Sequence, residues 1–144
     1  MRQRAFEVRA AGPPDLSDVV ALDDRARQGD PARLAYLHEH LAGSRCLVAE
    51  DGAAVGFVVV RPGHFFSRDF VDLLVVRAAD RRCGIGRGLL RAVLGEPGTA
   101  RVFTSTNISN APMRALLASE GWVLSGSLDG LDEGDPELVF FADR

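Results

Sequence analysis

The stretch that most constrains the fold runs from Phe70 to Leu94, with the sequence FVDLLVVRAADRRCGIGRGLLRAVL. Its first seven residues are apolar apart from Asp72, which predicts a buried strand. A polar turn follows, and glycine then occupies every second position, at Gly84, Gly86 and Gly88. Leucine and valine recur after the glycines on one face of a helix. The stretch therefore predicts a strand, a glycine-rich turn and a helix in direct succession.

A turn of this kind is suited to binding an anion. The first N–H groups of a helix have no partner within it, and the helix dipole adds about half a positive charge there. Glycines allow a phosphate to approach the backbone closely. Arg81, Arg82 and Arg87 add full positive charges that suit phosphate oxygens. We therefore expect the turn to bind a phosphate or pyrophosphate group.

Two common phosphate-binding motifs do not fit this turn. A Walker A loop requires a lysine after its last glycine, and the sequence contains no lysine. A dinucleotide-binding fingerprint requires G-x-G-x-x-G and an acidic residue at the end of the next strand. Here the spacing is G-x-G-x-G, and the next predicted strand, Ala100 to Thr106, carries no acid.

Composition limits the class of protein. A length of 144 residues predicts one domain, residues 1–144, with a proper core. The net charge of −3 argues against general nucleic-acid binding, and no apolar run approaches membrane-spanning length. The first ten residues lack the apolar core of a signal peptide. Cys46 and Cys83 form neither a disulfide framework nor a metal-ligand pair, so we expect a cytoplasmic protein without a bound metal.

Hydrophobic spacing and turn residues place the other elements. The predicted helices are Leu16 to Arg27 with Asp15 as N-cap, Pro31 to about Leu41 with Asp30 as N-cap, the helix after the glycines, and one that begins after Asn110 as N-cap and ends at Gly121. The predicted strands are Ala5 to Arg9, Arg45 to Glu50, Ala54 to Arg61, Phe70 to Val76, Ala100 to Thr106, Trp122 to Ser127 and Glu137 to Ala142. The order β-α-α-β-β-β-α-β-α-β-β predicts an α/β fold, a mixed sheet of about seven strands with helices on both faces.

The pattern R-x-x-G-x-G from Arg81 to Gly86, directly after a strand, resembles the pyrophosphate loop of the GCN5-related N-acetyltransferases (GNAT family), which bind acetyl-CoA. A second stretch, Asn107 to Trp122, resembles the family's fourth-helix signature, an asparagine followed by a short helix and a Gly-aromatic pair. The predicted order of elements is similar to the family fold from end to end.

The resemblance implies an acetyl-CoA-dependent N-acetyltransferase that moves an acetyl group directly to a primary amine of a small molecule or peptide. It also implies that the pantetheine arm pairs with the strand backbone while the pyrophosphate lies on the glycine turn. Asn107 and Asn110 are expected to touch the pantetheine arm. The implied cofactor-binding set is Leu74, Val75, Val76, Arg81, Arg82, Cys83, Gly84, Ile85, Gly86, Arg87, Gly88, Asn107 and Asn110.

The reaction needs a base, because an amine with a pKa near 10 is mostly protonated at pH 7. Asp72 is the first candidate, since it is the lone carboxylate of an apolar strand, and Glu50, at the end of a neighbouring strand, is the second. The family often has a tyrosine as general acid four residues before the terminal glycine of the fourth helix. Here that position is Leu117.

Two alternatives to the N-acetyltransferase stay open at this point. The missing tyrosine favours a noncatalytic acyl-CoA-binding sensor or partner module of the same fold, and an unrelated nucleotide-phosphate binder is a further alternative. The acids between Asp129 and Glu137 hint at a cationic acceptor, although a solvated face explains them as well. Because relatives often dimerise, a homodimer is a possible state.

Overall fold

The computed structural model describes residues 5–144, so part of the N-terminal stretch on which the signal-peptide expectation rests lies outside the described residues. The strands are β1 Glu7–Ala10, β2 Cys46–Glu50, β3 Ala54–Phe65, β4 Arg68–Val76, β5 Arg101–Asn107, β6 Val123–Leu128 and β7 Glu137–Asp143. The α-helices are α1 Leu16–Leu22, α2 Asp24–Arg27, α3 Pro31–Ala42, α4 Ile85–Gly95 and α5 Ala111–Ser119.

The strands form one mixed seven-stranded sheet in the order β1-β2-β3-β4-β5-β7-β6. Strand β5 runs parallel to β4, as expected for two strands joined by a crossover helix, and β7 is antiparallel to both β5 and β6. The predicted α/β class, strand number and element order are confirmed.

The predicted helix from Leu16 to Arg27 is wrong in one respect, because it is broken at Asp23. That residue is extended, with φ of −97° and ψ of 120°, and its carboxylate accepts a hydrogen bond from the N–H of Ala26. Its other oxygen lies 3.1 Å from Nη1 of Arg33, in a pair that is mostly buried. The side chain therefore caps a new short helix instead of continuing the first one.

Two of the three predicted N-caps are confirmed. Asp30 accepts hydrogen bonds from the first N–H groups of α3, and Asn110 accepts one from the N–H of Met113 in α5. Asp15 precedes α1 but makes no capping bond there. Its carboxylate instead accepts from Arg9 and from the N–H of Gly12, which tightens a 3-10 turn ahead of the helix.

Strand β3 is longer than predicted, because the Pro62-Gly63 pair does not end it. Gly63 adopts φ of 63°, and its N–H donates to the carboxylate of Asp69. The strand thus passes the proline with a local irregularity and continues to a tight turn at Phe66 and Ser67.

The described chain divides into two compact units. The first contains residues up to Val60 together with Leu73–Val93. Adjacent residues of β3 face opposite sides of the sheet here: Phe57 belongs to a buried cluster with Leu37 and Leu41 of α3, whereas Gly56 faces Ile85 and Leu89 of α4. Helices therefore cover both faces of the sheet within this unit, as predicted.

The second unit contains Arg61–Asp72 and Leu94–Arg144. Along β5, Val102, Thr104 and Thr106 are buried, whereas Phe103 and Ser105 on the other face are only half-buried. A buried ion pair joins Oδ2 of Asp69 to Nη1 of Arg144 at 2.9 Å. None of the helices in residues 5–144 has the length and apolar character that crossing a membrane requires.

Candidate active site

The glycine turn follows β4 through a short, charged connection. The N–H of Arg77 donates to the carbonyl of Val55 at 2.8 Å, which fixes the strand end. A 3-10 turn covers Ala78–Asp80, and its Asp80 side chain is buried and accepts a hydrogen bond from Nε of Arg77. The carboxylate of Asp80 is therefore paired with Arg77, ahead of the glycines in the chain.

The backbone of the turn takes conformations that suit an anion site. Arg82 and Gly84 both lie in the left-handed region, with φ of 63° and 86°. For a bulky residue such as Arg82 this conformation is uncommon and often marks a functional constraint. The N–H of Gly88 donates to the carbonyl of Gly84 at 2.9 Å, closing the first turn of α4. The N-terminus of α4, which begins at Ile85, is the end of a helix that favours a phosphate oxygen.

Close packing fixes the position of α4. Its residues Ile85, Leu89, Leu90 and Val93 are buried. A methyl group on Gly56 would lie 2.9 Å from the carbonyl oxygen of Val75 and 3.0 Å from Cγ2 of Ile85. The start of the helix and the end of β4 are therefore held against β3 at a distance that only glycine permits.

The turn carries a clear excess of positive charge. Arg81 and Arg82 are exposed, and Nε of Arg81 donates to the carbonyl of Val76 at 3.3 Å. Arg87 is half-buried in the first turn of α4. Cys83 is half-buried, and its Sγ lies 3.6 Å from the carbonyl oxygen of Arg81. Anion binding is the chemistry that this arrangement favours.

Asp72, the first candidate base, belongs to the second unit. Its side chain is mostly buried, and Nη1 of Arg61 lies 3.9 Å from its carboxylate. The parallel ladder joins Asp69–Val71 of β4 to residues 102–104 of β5. Asp72 directly follows Val71, the last residue of β4 in that ladder.

Glu50, the second candidate, belongs to the first unit and is held by an arginine. Its two carboxylate oxygens accept from Nε and Nη2 of Arg9 at 3.0 and 3.2 Å. The same guanidinium also binds Asp15, with Nη2 to Oδ1 at 2.8 Å. This three-residue ion cluster joins β1, β2 and the turn before α1.

Both asparagines expected at the pantetheine arm lie in the second unit and have partners there. Nδ2 of Asn107 donates to Oδ2 of Asp132 at 2.9 Å and to the carbonyl of Asp135 at 3.2 Å. The Oδ1 of Asn110 caps α5. Their amides thus fasten the β6–β7 loop and begin a helix.

Leu117, at the position where the family often has tyrosine, is fully buried. The sequence did not reveal that Arg61 pairs with Asp72, or that Asp80 pairs with Arg77 ahead of the glycine turn. Arg61 ends a predicted strand, and Asp80 looked like an exposed turn residue. For Arg61, the antiparallel return of β3 onto β4 was the available signal. The turn itself, Leu74–Val76 and Glu50 lie in the first unit.

A shallow cavity of about 500 Å³ lies elsewhere in the second unit. Its lining comes from Ser67, Arg68, Thr99, Ala100 and Arg101, at the first residues of β4 and β5. The glycine turn follows the other end of β4, so this cavity does not include any predicted site residue.

Known proteins resemble this chain in sequence and in fold. The pattern of the Acetyltransferase (GNAT) family matches residues 14–122. A GNAT-family acetyltransferase from Bacillus cereus is 32% identical, with 98% of this chain and 99% of that chain covered at a TM-score of 0.90. The sequence has no significant match among curated proteins.

More distant structures share the fold. The protein yncA from Salmonella typhimurium, determined with its cofactor acetyl-CoA, is 20% identical over 97% of this chain and 94% of that chain, with a TM-score of 0.76. Diaminobutyrate acetyltransferase from Paenibacillus lautus, in complex with L-2,4-diaminobutyric acid and coenzyme A, is 19% identical over 94% of each chain, with a TM-score of 0.73. The family match and the Bacillus cereus relative confirm the expected enzyme class and the expected acetyl donor, acetyl-CoA. The chain belongs to the GNAT family of acetyltransferases.

Proposed function

We propose that this chain, as a single domain, transfers the acetyl group of acetyl-CoA directly to a primary amine of a small molecule or peptide in the cytoplasm. The observation that carries the proposal is the arginine-rich turn after β4, whose left-handed glycine leads directly into the N-terminus of α4 and suits a pyrophosphate. Family membership supplies the reaction class.

The pyrophosphate binds the turn. Backbone N–H groups at the start of α4 donate to its oxygens, and Arg81, Arg82 and Arg87 neutralise its charge. Cys83 and the three glycines leave room for the backbone to approach the phosphates. Gly88 has little space for a side chain, because a methyl group there would lie 2.5 Å from Cζ of Phe6.

The pantetheine arm pairs with the backbone of Leu74, Val75 and Val76. These residues come after the part of β4 that is joined to β5 in the described ladder. A backbone N–H in this segment polarises the thioester carbonyl and stabilises the negative charge that develops on its oxygen. Nδ2 of Asn107 has to exchange its bonds to Asp132 and Asp135 before it donates to the arm, whereas Asn110 has only its Oδ1 engaged as the cap of α5 in the bonds described above.

Asp72 takes the proton of the attacking amine. It is preferred over Glu50, whose two oxygens are both bound by Arg9. The buried Leu117 supplies no acid, and a thiolate with a pKa of about 8.5 leaves without one more easily than an alkoxide would. One structural neighbour, diaminobutyrate acetyltransferase from Paenibacillus lautus, is in complex with the amine L-2,4-diaminobutyric acid, which supports an amine acceptor here.

The test is an assay of CoA release with acetyl-CoA and a panel of primary amines. Asp72→Asn should lower kcat by about 100-fold or more while the Kd of acetyl-CoA stays unchanged. The exposed Glu96→Gln is the matched carboxylate control and should keep full activity. Acetyl-CoA binding without turnover of any amine would contradict the proposal and favour a noncatalytic binding module. Sedimentation of the same sample tests the homodimer.

A further inference from the structure

One face of the sheet in the second unit carries a row of half-buried phenylalanines, one on each of four successive strands. Phe70 of β4 is in register with Phe103 of β5, which pairs with Phe141 of β7. The ring of Phe65 in β3 lies 5.2 Å from Phe70 and 5.0 Å from Phe103, and Phe103 lies 5.8 Å from Phe141. We call these four residues the phenylalanine band.

Each ring in the band keeps part of its surface in solvent. The opposite face of the same strands is different, since Val71, Val102 and Phe140 are buried. These half-buried rings pack against one another at tilted angles of 31° to 50° and form an apolar surface, at whose end Cζ of Arg101 lies 4.1 Å from the centre of the Phe141 ring. Exposed rings of this kind pair well with another aromatic ring in offset or edge-on geometry.

Asp72 lies on the same face of β4 as Phe70, because side chains two residues apart in a strand point the same way. Their Cα atoms are separated by about 7 Å along the strand. A carboxylate at this distance from an apolar ring matches a ligand in which a short linker joins a flat ring to an ammonium group.

The acids after β6 have structural roles within the fold. Asp132 accepts from Asn107, and both oxygens of Asp135 accept from Ser109. Oε2 of Glu137 accepts from Ser105 at 2.7 Å. Three of the carboxylates in this region therefore serve to fasten the β6–β7 loop to the end of β5.

We infer that the acyl acceptor is a primary amine with an aromatic body, whose ring lies on the phenylalanine band while its nitrogen reaches Asp72. The inference rests on the proposed function, since it uses Asp72 as the base. In the reaction the amine nitrogen bonds to the acetyl carbon, its proton passes to Asp72, and CoA leaves as the thiolate.

The experiment compares 2-phenylethylamine, 2-cyclohexylethylamine and spermidine as acceptors, with CoA release as the readout. We expect kcat/KM for 2-phenylethylamine to exceed that for spermidine by at least about tenfold and to exceed that for the saturated analogue as well. Phe103→Leu should lower kcat/KM for 2-phenylethylamine about 2- to 13-fold, mainly through KM, with the Kd of acetyl-CoA unchanged.

Leu124→Ala is the control, because this apolar side chain is 56% exposed and pairs with Phe140, on the opposite face of the sheet from the band. Should Phe103→Leu fold poorly, Phe141→Leu removes a second ring of the band. Preference for spermidine, or equal effects of Leu124→Ala and Phe103→Leu, would overturn the inference. A dimer that Phe103→Leu dissociates would also overturn it, by assigning the band to a second copy of this chain. Failure of the wild-type protein to bind acetyl-CoA would instead refute the proposed function.

Discussion

Replacing Gly56 with alanine tests whether close packing of β3 holds the glycine turn in place. The added methyl group would lie 2.9 Å from the carbonyl oxygen of Val75, 3.0 Å from Ile85 and 3.3 Å from Leu89. The first contact is with backbone, which cannot rotate away, so the strand end and the helix start must separate. Overpacking of this kind costs about 1–3 kcal/mol of unfolding free energy.

The corresponding change in Tm follows from the size of the chain. For 144 residues the entropy of unfolding is about 0.3 kcal/mol per kelvin, so a loss of about 2 kcal/mol lowers Tm by about 7 °C. Circular dichroism during heating measures this change in Tm in the absence of ligand. The displaced groups flank the turn, so the Kd of acetyl-CoA should rise as well.

Gly95→Ala is the matched control for this prediction. A methyl group at Gly95 meets no atom within 4 Å, and the residue ends α4, where alanine is the better helix former. Its Tm should stay constant or rise slightly, with acetyl-CoA binding unchanged. An unchanged Tm for Gly56→Ala would refute the packing argument.

Two further predictions concern thiols and pH. Burial raises the pKa of Cys46 to about 12, so only Cys83 should react quickly with a thiol reagent at neutral pH. Bound acetyl-CoA should slow the labelling of Cys83. Equal labelling rates with and without acetyl-CoA would contradict the assigned turn. Burial raises the pKa of Asp69, but hydrogen bonds from Arg144 and two backbone N–H groups outweigh it and hold the pKa below its ordinary value. Its stabilising effect is therefore complete above the unfolded pKa of about 3.9 and is lost as pH falls through the folded value. Urea unfolding of Asp69→Asn should show a weaker loss of stability on acidification than the wild type, and identical pH dependence would contradict this reasoning.

The fold could be predicted from sequence because its signals are local. The apolar run before the glycines, the helical spacing after them and the caps at Asp30 and Asn110 each depend on neighbours within a few residues. The break at Asp23 could not be read in this way. The Asp23 carboxylate combines a cap on the N–H of Ala26 with an ion pair to Arg33, ten residues away, and the second contact is invisible in a local pattern.

In the candidate site, too, the parts formed by neighbouring residues could be predicted, and the parts formed by distant residues could not. The glycine turn is contiguous in sequence, so its residue types and spacing could be recognised together. The pairing of Asp72 with Arg61 and the phenylalanine band arise only when separate strands are placed in register. Likewise, the hydrogen bonds that occupy Asn107 come from a loop 25 or more residues later in the chain.

Calorimetric titration with acetyl-CoA tests the central claim most directly. The wild-type protein should bind acetyl-CoA more tightly than ATP or NAD, and Gly84→Asp should abolish binding by placing a carboxylate in the turn. Gly29→Asp is the matched control, because Gly29 has nearly the same φ, 85° against 86°, and lies outside the turn. Binding that survives in Gly29→Asp and is lost in Gly84→Asp is the predicted result. Absence of binding by the wild-type protein at millimolar acetyl-CoA would contradict the account.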